Sequence, residues 1–441
     1  MQAVRTGLPQ AAQRVLMISL AIVAMSGCSA KDTSARDRSG RVAVAQGDDE
    51  GDSGGRQGGG GWAGSRGGGG NLPFAAPNAV AKPLTPVSAV TVSGNQFLRD
   101  GRPFVPVGFV FSALLQPKRF MDACAQEVFC ERRLSAREWL YGRGRFAGHS
   151  ALDVAQDWGS NTIRYNVDQA ALDPANPSYS AAYADEIRSA VRLARNRGFV
   201  VILTLFDGRN KHAPQAWLAS SPKTPLDDAT TLGAAVALAK AYGQDRGVML
   251  ELLNEPWSPG PPEQGWQLWL NGGVASQGRF AGQQFVGVNQ IIRAMRAAGA
   301  KNVILLQGLK ASMKGFPGGV EDPLGQVAYS VHPFFGNGEP DKMDWDGNFG
   351  QFASSHPMVL TAWNVLTKQG WCGRWGVDKP RQFLSYLHAH HIGMMAFALD
   401  ARHTAVDDFE TGAATPSSLA ADCQQNSAPG SLIRQYFLSA N

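Results

Sequence analysis

The chain has 441 residues, which is enough for one large core, because single α/β barrels take about 250 residues or more. Its formal net charge of +5 comes from basic residues that are scattered along the sequence rather than clustered. Nucleic acid is therefore not an expected partner.

Residues 1–28 form a predicted targeting segment, which takes no part in the fold. Two arginines precede an apolar core, residues 15–25, that is too short to span a bilayer as a stable helix. The Ser-Gly-Cys that follows resembles the end of a bacterial lipoprotein signal, with Cys28 as the lipidated first residue of the mature chain. An ordinary secretory signal with an incidental Cys28 is the alternative. We expect a lipoprotein of the bacterial envelope (outer membrane or cell surface) or a secreted protein, whose only contact with a membrane is the lipid anchor.

A disordered tether is predicted for residues 29–86. Twelve of the twenty residues from 51 to 70 are glycine, and four prolines follow, a composition that buries too little apolar surface to offset the entropy of ordering. The globular domain is predicted to span residues 87–441. It begins with a β-hairpin, because residues 89–93 and 96–99 flank the turn residues Gly94 and Asn95.

After the hairpin the sequence alternates between strand and helix patterns, which indicates a parallel sheet. Apolar runs predict eight strands, at 104–111, 162–165, 199–206, from 248 to the Asn-Glu pair at 254–255, 303–306, 327–332, 358–361 and 393–399. Helical patterns lie at 150–158, 181–196, 231–242, 285–295, 380–390 and 431–438. This alternation predicts an α/β fold, a (β/α)8 TIM barrel, rather than an open sheet. The glycine pattern of a dinucleotide-binding fold is absent after the first strand.

Four cysteines, Cys124, Cys130, Cys372 and Cys423, can pair in the oxidising compartment that export implies. They allow three connectivities. We prefer Cys124–Cys130 with Cys372–Cys423, because the first two share one insertion after strand one and the last two bracket the end of the fold. The spacings are not those of a paired-cysteine zinc site, so no metal is expected, and no cofactor is indicated.

Polar side chains fall where predicted strands end, which is where catalytic groups lie in this fold. Strand four ends in Asn254 and Glu255, directly before a proline that prevents the strand from continuing. A carboxylic acid in that position is suited to act as a general acid, whereas a surface Glu in a turn is the alternative. Arg164 and His332 end strands two and six, and Asp400 follows strand eight as a candidate substrate contact.

Four motifs fall in order along the chain: Asn-Thr-Ile-Arg at 161–164, Glu-Leu-Leu-Asn-Glu-Pro at 251–256, Tyr-Ser-Val-His-Pro at 329–333 and Pro-Met-Val-Leu-Thr at 357–361. From about residue 90 onward the chain resembles retaining (β/α)8 glycoside hydrolases, most closely family 5, the cellulase family. The resemblance implies a double displacement on a glycosidic bond, in a polysaccharide or oligosaccharide of the β-glucan or mannan type. It implies that Glu255 is the acid/base and that Asn254 binds the sugar 2-hydroxyl. His332 and Arg164 would then organise the opposite carboxylate.

The chain departs from this family at the end of strand seven, where the nucleophilic Glu is expected and Ala362 stands. Phe334 stands where the family commonly has a tyrosine. A retaining mechanism needs two carboxyls about 5–5.5 Å apart, and Ala362 supplies none. Three explanations stay open: a surface-tethered pseudoenzyme that binds glycan without cleaving it, a nucleophile-knockout variant of an active hydrolase, or an inverting hydrolase. In the last case Asp400, or else Asp344 or Asp346, is the base across a gap of about 6.5–9.5 Å.

Tryptophans are concentrated in the loops predicted at the mouth of the barrel, and their rings can stack on sugars. Trp257 and Trp363 are candidate substrate contacts; the others are Trp266, Trp269, Trp345 and Trp371. Glu251 lies four residues before Glu255 and is expected to be a buried partner for Arg164. A structural envelope lipoprotein without any ligand is a further alternative, which predicts no open cleft beside Glu255.

Overall fold

The computed structural model describes residues 79–207, 224–334, 344–363, 378–401, 404–406, 408–411 and 429–440. The predicted signal segment with Cys28, the tether up to residue 78, and the cysteines at 372 and 423 lie outside these described residues. The chain divides into two units, residues 1–70 and 71–441, and every described residue belongs to the second. Within the described part, no helix combines the length and the apolar character needed to cross a membrane.

Eight parallel strands close into a barrel, which confirms the predicted fold class. The strands of the described residues are β1 (Val90–Ser93), β2 (Gln96–Arg99), β3 (Arg102–Phe104), β4 (Val107–Phe111), β5 (Thr162–Asp168), β6 (Val200–Phe206), β7 (Val248–Glu251), β8 (Gly272–Val274), β9 (Gln284–Val286), β10 (Ile304–Gln307), β11 (Val327–Val331), β12 (Met358–Trp363) and β13 (Gly393–Ala396). The order around the barrel is β4-β5-β6-β7-β10-β11-β12-β13. Strands β1–β3 form the predicted N-terminal hairpin with one added strand, and β8–β9 form a second small antiparallel sheet.

Helices alternate with the barrel strands and pack on their outer faces. In the described residues they are α1 (Lys118–Asp122), α2 (Val128–Leu140), α3 (Ala151–Asp157), α4 (Gln169–Leu172), α5 (Ala181–Asn196), α6 (Ala229–Tyr242), α7 (Pro262–Asn271), α8 (Val288–Ala297), α9 (Gln351–Ala353), α10 (Asp378–Ala389) and α11 (Pro429–Ser439). Helix α5 shows why they form: the Ser180 side chain accepts from the Tyr183 N–H, and an apolar face that includes Ile187 and Val191 is buried against the sheet.

Two element boundaries differ from the sequence prediction. Residues 104–111 do not form one strand, because Pro106 between β3 and β4 has no N–H to donate to a ladder. The helix predicted from residue 285 begins at Val288, because Phe285 pairs with Gly273 in the sheet of β8 and β9.

The interior of the barrel has an apolar layer and a polar layer. At the N-terminal ends of the strands the inward side chains are apolar, and they form one cluster with Val90, Val92 and Phe97 of the hairpin. The Val90 N–H donates to the Arg246 carbonyl at 2.8 Å, and the Val92 N–H donates to Gln326 Oε1 at 3.0 Å. The hairpin therefore closes the bottom of the barrel. Towards the carboxyl ends of the strands several inward side chains are polar, among them Arg164, Glu251 and Ser330.

The segment between β4 and α3 carries helices α1 and α2, which are joined by a disulfide between Cys124 and Cys130. Arg137 of α2 is buried and donates to the carbonyl oxygens of Ala113, at 2.7 Å, and Gln116. These bonds fasten α2 to the loop that follows β4 at the mouth of the barrel.

Candidate active site

Arg164 and Glu251 form a buried ion pair at the centre of the polar layer. Arg164 on β5 donates from Nε to Glu251 Oε2 at 2.8 Å and from Nη2 to Asn254 Oδ1 at 2.7 Å. Three hydroxyl groups donate to the same Glu251 carboxylate at 2.6–2.7 Å, from Thr204, Ser330 and Thr361. An ionised carboxylate offers about four acceptor positions, so Glu251 is fully hydrogen-bonded.

The surroundings of Glu251 keep it ionised. Burial raises the pKa of Glu251, but Arg164, His332 and the hydroxyl donors lower it by more, so that the pKa lies below its ordinary value. A depressed carboxyl pKa contributes stability above the pKa of the unfolded chain, about 4.3, and this contribution is lost as the pH falls through the folded value.

Glu255 lies on the turn that follows β7. The Asn254 N–H donates to the Leu205 carbonyl at 2.9 Å, and the Glu255 N–H donates to Gln307 Oε1 at 2.7 Å. With a φ of 52°, Glu255 has left-handed backbone, a conformation that costs a non-glycine residue on the order of 1 kcal/mol and is concentrated at functional sites. Its side chain is 46% exposed. The turn therefore presents the Glu255 carboxyl to solvent at the barrel mouth.

His332, which follows β11, connects Glu255 to β12. Its Nδ1 lies 2.9 Å from Glu255 Oε1, and its Nε2 lies 2.9 Å from Thr361 Oγ1. The imidazole is buried. Arg164, Asn254, Glu255 and His332, which the sequence predicted to converge, are thus joined in one network through Glu251 and Thr361.

Ala362 is the residue after Thr361 on β12. The pairing of β12 with β13 is irregular between Leu360 and Trp363, and such an irregularity lets two consecutive side chains face the same side of a strand. Thr361 binds Glu251 inside the barrel, and Ala362 belongs to the inner apolar cluster. Ala362 is therefore on the same side of β12 as the network that ends in Glu255, and it brings no carboxylate to it.

Most of the tryptophans near the mouth are packing residues. Trp363 is fully buried with its ring centroid 5.0 Å from that of Phe383 of α10, so the prediction that it contacts substrate is wrong. Trp266 and Trp269 are buried on α7, and Trp345 packs against α10. Trp257 is half-buried, with its ring edge-on to Phe280 at 5.1 Å, and it stays a candidate contact. Trp371 lies outside the described residues.

Asp400 is held as a structural anchor. It is 5% exposed, and its Oδ2 accepts from the N–H groups of Ser112 at 2.7 Å and Ala113 at 2.5 Å, with Arg133 Nη1 at 3.4 Å. Burial raises the pKa of Asp400 against the opposing effects of Arg133 and these N–H groups. This enclosure disfavours the roles predicted for Asp400 as a substrate contact or an inverting base, which stay predictions.

The other two carboxylates suggested as inverting bases also lie away from the network. Asp346 accepts from the Tyr386 hydroxyl of α10 on the outer layer, and Asp344 accepts from the Gly347 N–H at 2.8 Å. Within the described residues, no group of three or more His, Cys, Asp or Glu side chains is arranged to hold a metal ion.

Asp227 is a buried carboxyl that the sequence did not single out. Its Oδ1 accepts from the Leu253 N–H at 3.3 Å, directly beneath the turn that carries Asn254 and Glu255. Burial raises the pKa of Asp227 to about 7, with the Leu253 N–H acting in the opposite direction. Asp227 therefore supports the turn that carries Asn254 and Glu255, and its carboxyl stays protonated to a higher pH than an ordinary aspartic acid.

Asp227→Asn is expected to stabilise the chain at pH 8 by roughly 1–3 kcal/mol and to change its stability little at pH 4. A carboxyl whose pKa is raised on folding favours the folded state at low pH, and that advantage is lost as the pH rises from about 4 to about 7. Urea denaturation at the two pH values measures the difference. The exposed Asp185→Asn is the control and should change neither value; an equal effect of Asp227→Asn at both pH values contradicts the prediction.

Comparison with known protein families gives one match over more than half of the chain. Residues 125–403 match the family model described as cellulase, glycosyl hydrolase family 5. No curated protein matches the chain.

Solved structures show a similar fold. A hyperthermophilic endocellulase from the archaeon Pyrococcus horikoshii is 14% identical, covers 81% of this chain and 100% of its own, and has a TM-score of 0.50. Its complex with cellotetraose gives the same values. A cellulase–inhibitor complex is 14% identical over 80% of this chain and 100% of its own, also with a TM-score of 0.50. At this identity the likeness supports the barrel fold alone.

Proposed function

Because the chain belongs to glycosyl hydrolase family 5, the cellulase family, we propose that it binds a β-glucan or mannan type of glycan with Glu255 in the acid/base position. We propose further that it does not cleave this glycan by the retaining route, since Ala362 occupies the nucleophile position. The observation that carries the proposal is the Glu255–His332–Thr361 hydrogen-bonded chain, which ends beside Ala362.

Each polar group in this arrangement has a function in glycan binding. Asn254 is held by Arg164 at 2.7 Å, so its amide is oriented for a sugar hydroxyl. Glu255 is half-exposed and bonded to His332, so it faces a ligand at the mouth. Retaining cleavage needs a second carboxyl about 5–5.5 Å away, and an alanine methyl cannot attack the anomeric carbon. Inverting cleavage through Asp400 is disfavoured, because that carboxylate is buried and held by two N–H groups and Arg133.

Binding and cleavage measured together test this proposal. The purified chain is titrated with cello-oligosaccharides and manno-oligosaccharides in a calorimeter, and the same mixtures are assayed for new reducing ends. We expect binding to one of the two series and no release of reducing ends. Absence of binding to both series contradicts the glycan-binding function. Cleavage with inversion at the anomeric carbon supports the inverting alternative instead.

Trp257→Ala is expected to weaken the affinity for the bound oligosaccharide by about three- to tenfold, because a stacked aromatic ring contributes about 0.5–1.5 kcal/mol beyond its buried area. Calorimetric titration measures the change. Trp345→Ala is the matched control, since Trp345 packs against Phe383 on the outer layer and should leave the affinity unchanged. Equal losses in the two variants place Trp257 outside the binding cleft.

The proposed location is the bacterial envelope, by a lipid anchor at Cys28, with the glycine-rich segment that follows it as a tether. The order of signal, cysteine and glycine-rich segment in the sequence supports this proposal. The Cys124–Cys130 disulfide agrees with an oxidising compartment. Metabolic labelling of the wild type and of Cys28→Ala with a fatty-acid analogue tests it: label in both variants, or in neither, contradicts anchoring at Cys28.

A further inference from the structure

The single hydroxyl group of Thr361 makes two short contacts. Its Oγ1 lies 2.7 Å from Glu251 Oε1 and 2.9 Å from His332 Nε2. A hydroxyl has one proton to donate and two lone pairs that accept. The proton therefore serves one of these contacts, and the other contact must be supplied with a proton by its partner.

The Glu251 contact takes the Thr361 proton. Glu251 is ionised, because Arg164 and its other donors lower its pKa despite burial, and an ionised carboxylate only accepts. Two oxygens 2.7 Å apart without a proton between them repel each other, so Thr361 donates to Glu251 Oε1. The Thr361 oxygen then has only lone pairs to offer to His332, and the His332 Nε2 must carry a hydrogen and donate it.

The same reasoning applies to the other side of the imidazole ring. His332 Nδ1 and Glu255 Oε1 are 2.9 Å apart, so one proton lies between them. It resides either on Glu255, beside a neutral His332, or on Nδ1, beside an ionised Glu255. In both cases Nε2 keeps its hydrogen, and the pair shares one transferable proton.

We propose that Thr361 is a positioning residue: by giving its proton to Glu251 and accepting from His332 Nε2, it fixes the tautomer of His332 and thereby keeps a transferable proton in the His332–Glu255 contact. This inference rests on the proposed function in one respect: with Glu255 in the acid/base position, the shared proton is the one that such a residue delivers to a leaving oxygen. Glu251 and Arg164 are charged groups bonded within this network, and the surroundings of Glu251 lower its pKa.

The variants that test the inference distinguish loss of the Thr361 hydroxyl, which sets the His332 tautomer, from loss of another hydrogen bond in the network. Thr361→Val keeps the shape of the side chain and removes the hydroxyl, whereas Thr361→Ser keeps the hydroxyl. Ser330→Ala removes a different donor from the same Glu251 Oε1, at 2.6 Å, and leaves the Thr361–His332 contact in place, so it is the matched control. Circular dichroism and thermal unfolding establish that each variant is folded.

Nitrogen-15 NMR of the imidazole distinguishes the protonated from the unprotonated ring nitrogen, and a His332→Gln variant assigns the signals. In the wild type, Thr361→Ser and Ser330→Ala, we expect a protonated Nε2 near neutral pH. In Thr361→Val we expect Nε2 to lose its hydrogen to solvent, so that the one remaining ring proton sits on Nδ1 and donates to an ionised Glu255 carboxylate. An unprotonated Nε2 in the wild type overturns the inference, and so does an unchanged Nε2 signal in Thr361→Val.

Glycan titration of the wild type, Thr361→Val, Thr361→Ser and Ser330→Ala shows whether a failed result counts against this inference or against the proposed function. If the wild type shows the protonated Nε2 but binds neither series of oligosaccharide, the proposed function fails and the tautomer assignment stands. If the wild type binds glycan but the Nε2 is unprotonated, the assignment fails and the glycan-binding function stands.

Discussion

Arg164→Met is expected to destabilise the chain by about 3–5 kcal/mol, the largest loss of stability among the variants considered. The substitution removes the only full positive charge bonded to Glu251 among the described residues, and it leaves a buried carboxylate that three hydroxyl groups cannot neutralise. Urea denaturation followed by tryptophan fluorescence measures the loss. Glycan binding should also weaken, because Asn254 loses the guanidinium that orients it.

A double variant shows whether the unpaired charge of Glu251 causes the loss of stability in Arg164→Met. In the double variant Arg164→Met with Glu251→Gln, the buried group is neutral and still bonds to Ser330 and Thr361, so part of the lost stability should return. The interaction free energy from the double-mutant cycle measures the coupling of the pair. If the double variant is less stable than Arg164→Met alone, the ion pair is not the source of the effect.

Ala362→Glu is expected to create hydrolytic activity, raising the release of reducing ends from the bound glycan by on the order of 10³-fold or more. The new carboxylate would begin at the inward position next to Thr361, on the strand that His332 links to Glu255. A retaining glycosidase needs this second carboxyl as its nucleophile. The product should therefore keep the anomeric configuration of the substrate, which NMR of the fresh hydrolysate shows.

Two variants serve as controls for the gain of activity. Ala362→Gln has nearly the same size but cannot form a glycosyl-enzyme bond, so it should stay inactive. Glu255→Gln in the Ala362→Glu background should lower the rate by about 10²–10⁴-fold, the range of general acid–base catalysis. A folded Ala362→Glu chain that binds glycan without cleaving it contradicts the assignment of residue 362 to the nucleophile position.

The fold was predictable because a parallel barrel is encoded locally. Many of the buried strands are short apolar runs, and several helices have a side-chain cap and an apolar face, as the serine caps of α3 and α5 show. Strand ends of a barrel meet at one mouth whatever the lengths of the loops, so the convergence of Arg164, Asn254, Glu255 and His332 followed from the topology.

Contacts that depend on side-chain direction were not predictable. Thr204, Ser330 and Thr361 interrupt apolar strands at inward positions, but a hydroxyl residue in a strand gives no sign of the carboxylate it will bind. The irregular pairing of β12 sends Trp363 outward and Ala362 inward, which simple alternation cannot locate. Asp400 follows a strand end like Glu255, yet N–H groups of the loop after β4 enclose it, and that loop is distant in sequence.

The N-terminal hairpin has a consequence for the order in which the chain assembles. Val92 bonds to Gln326, 234 residues later, and Asn95 donates to the carbonyl of Ala353, 258 residues later. Contacts across such long stretches form slowly, because a large loop must be closed first. During synthesis the hairpin therefore waits for nearly all of the barrel, with the apolar residues Val90 and Phe97 exposed to chaperones and to neighbouring chains until β11 arrives.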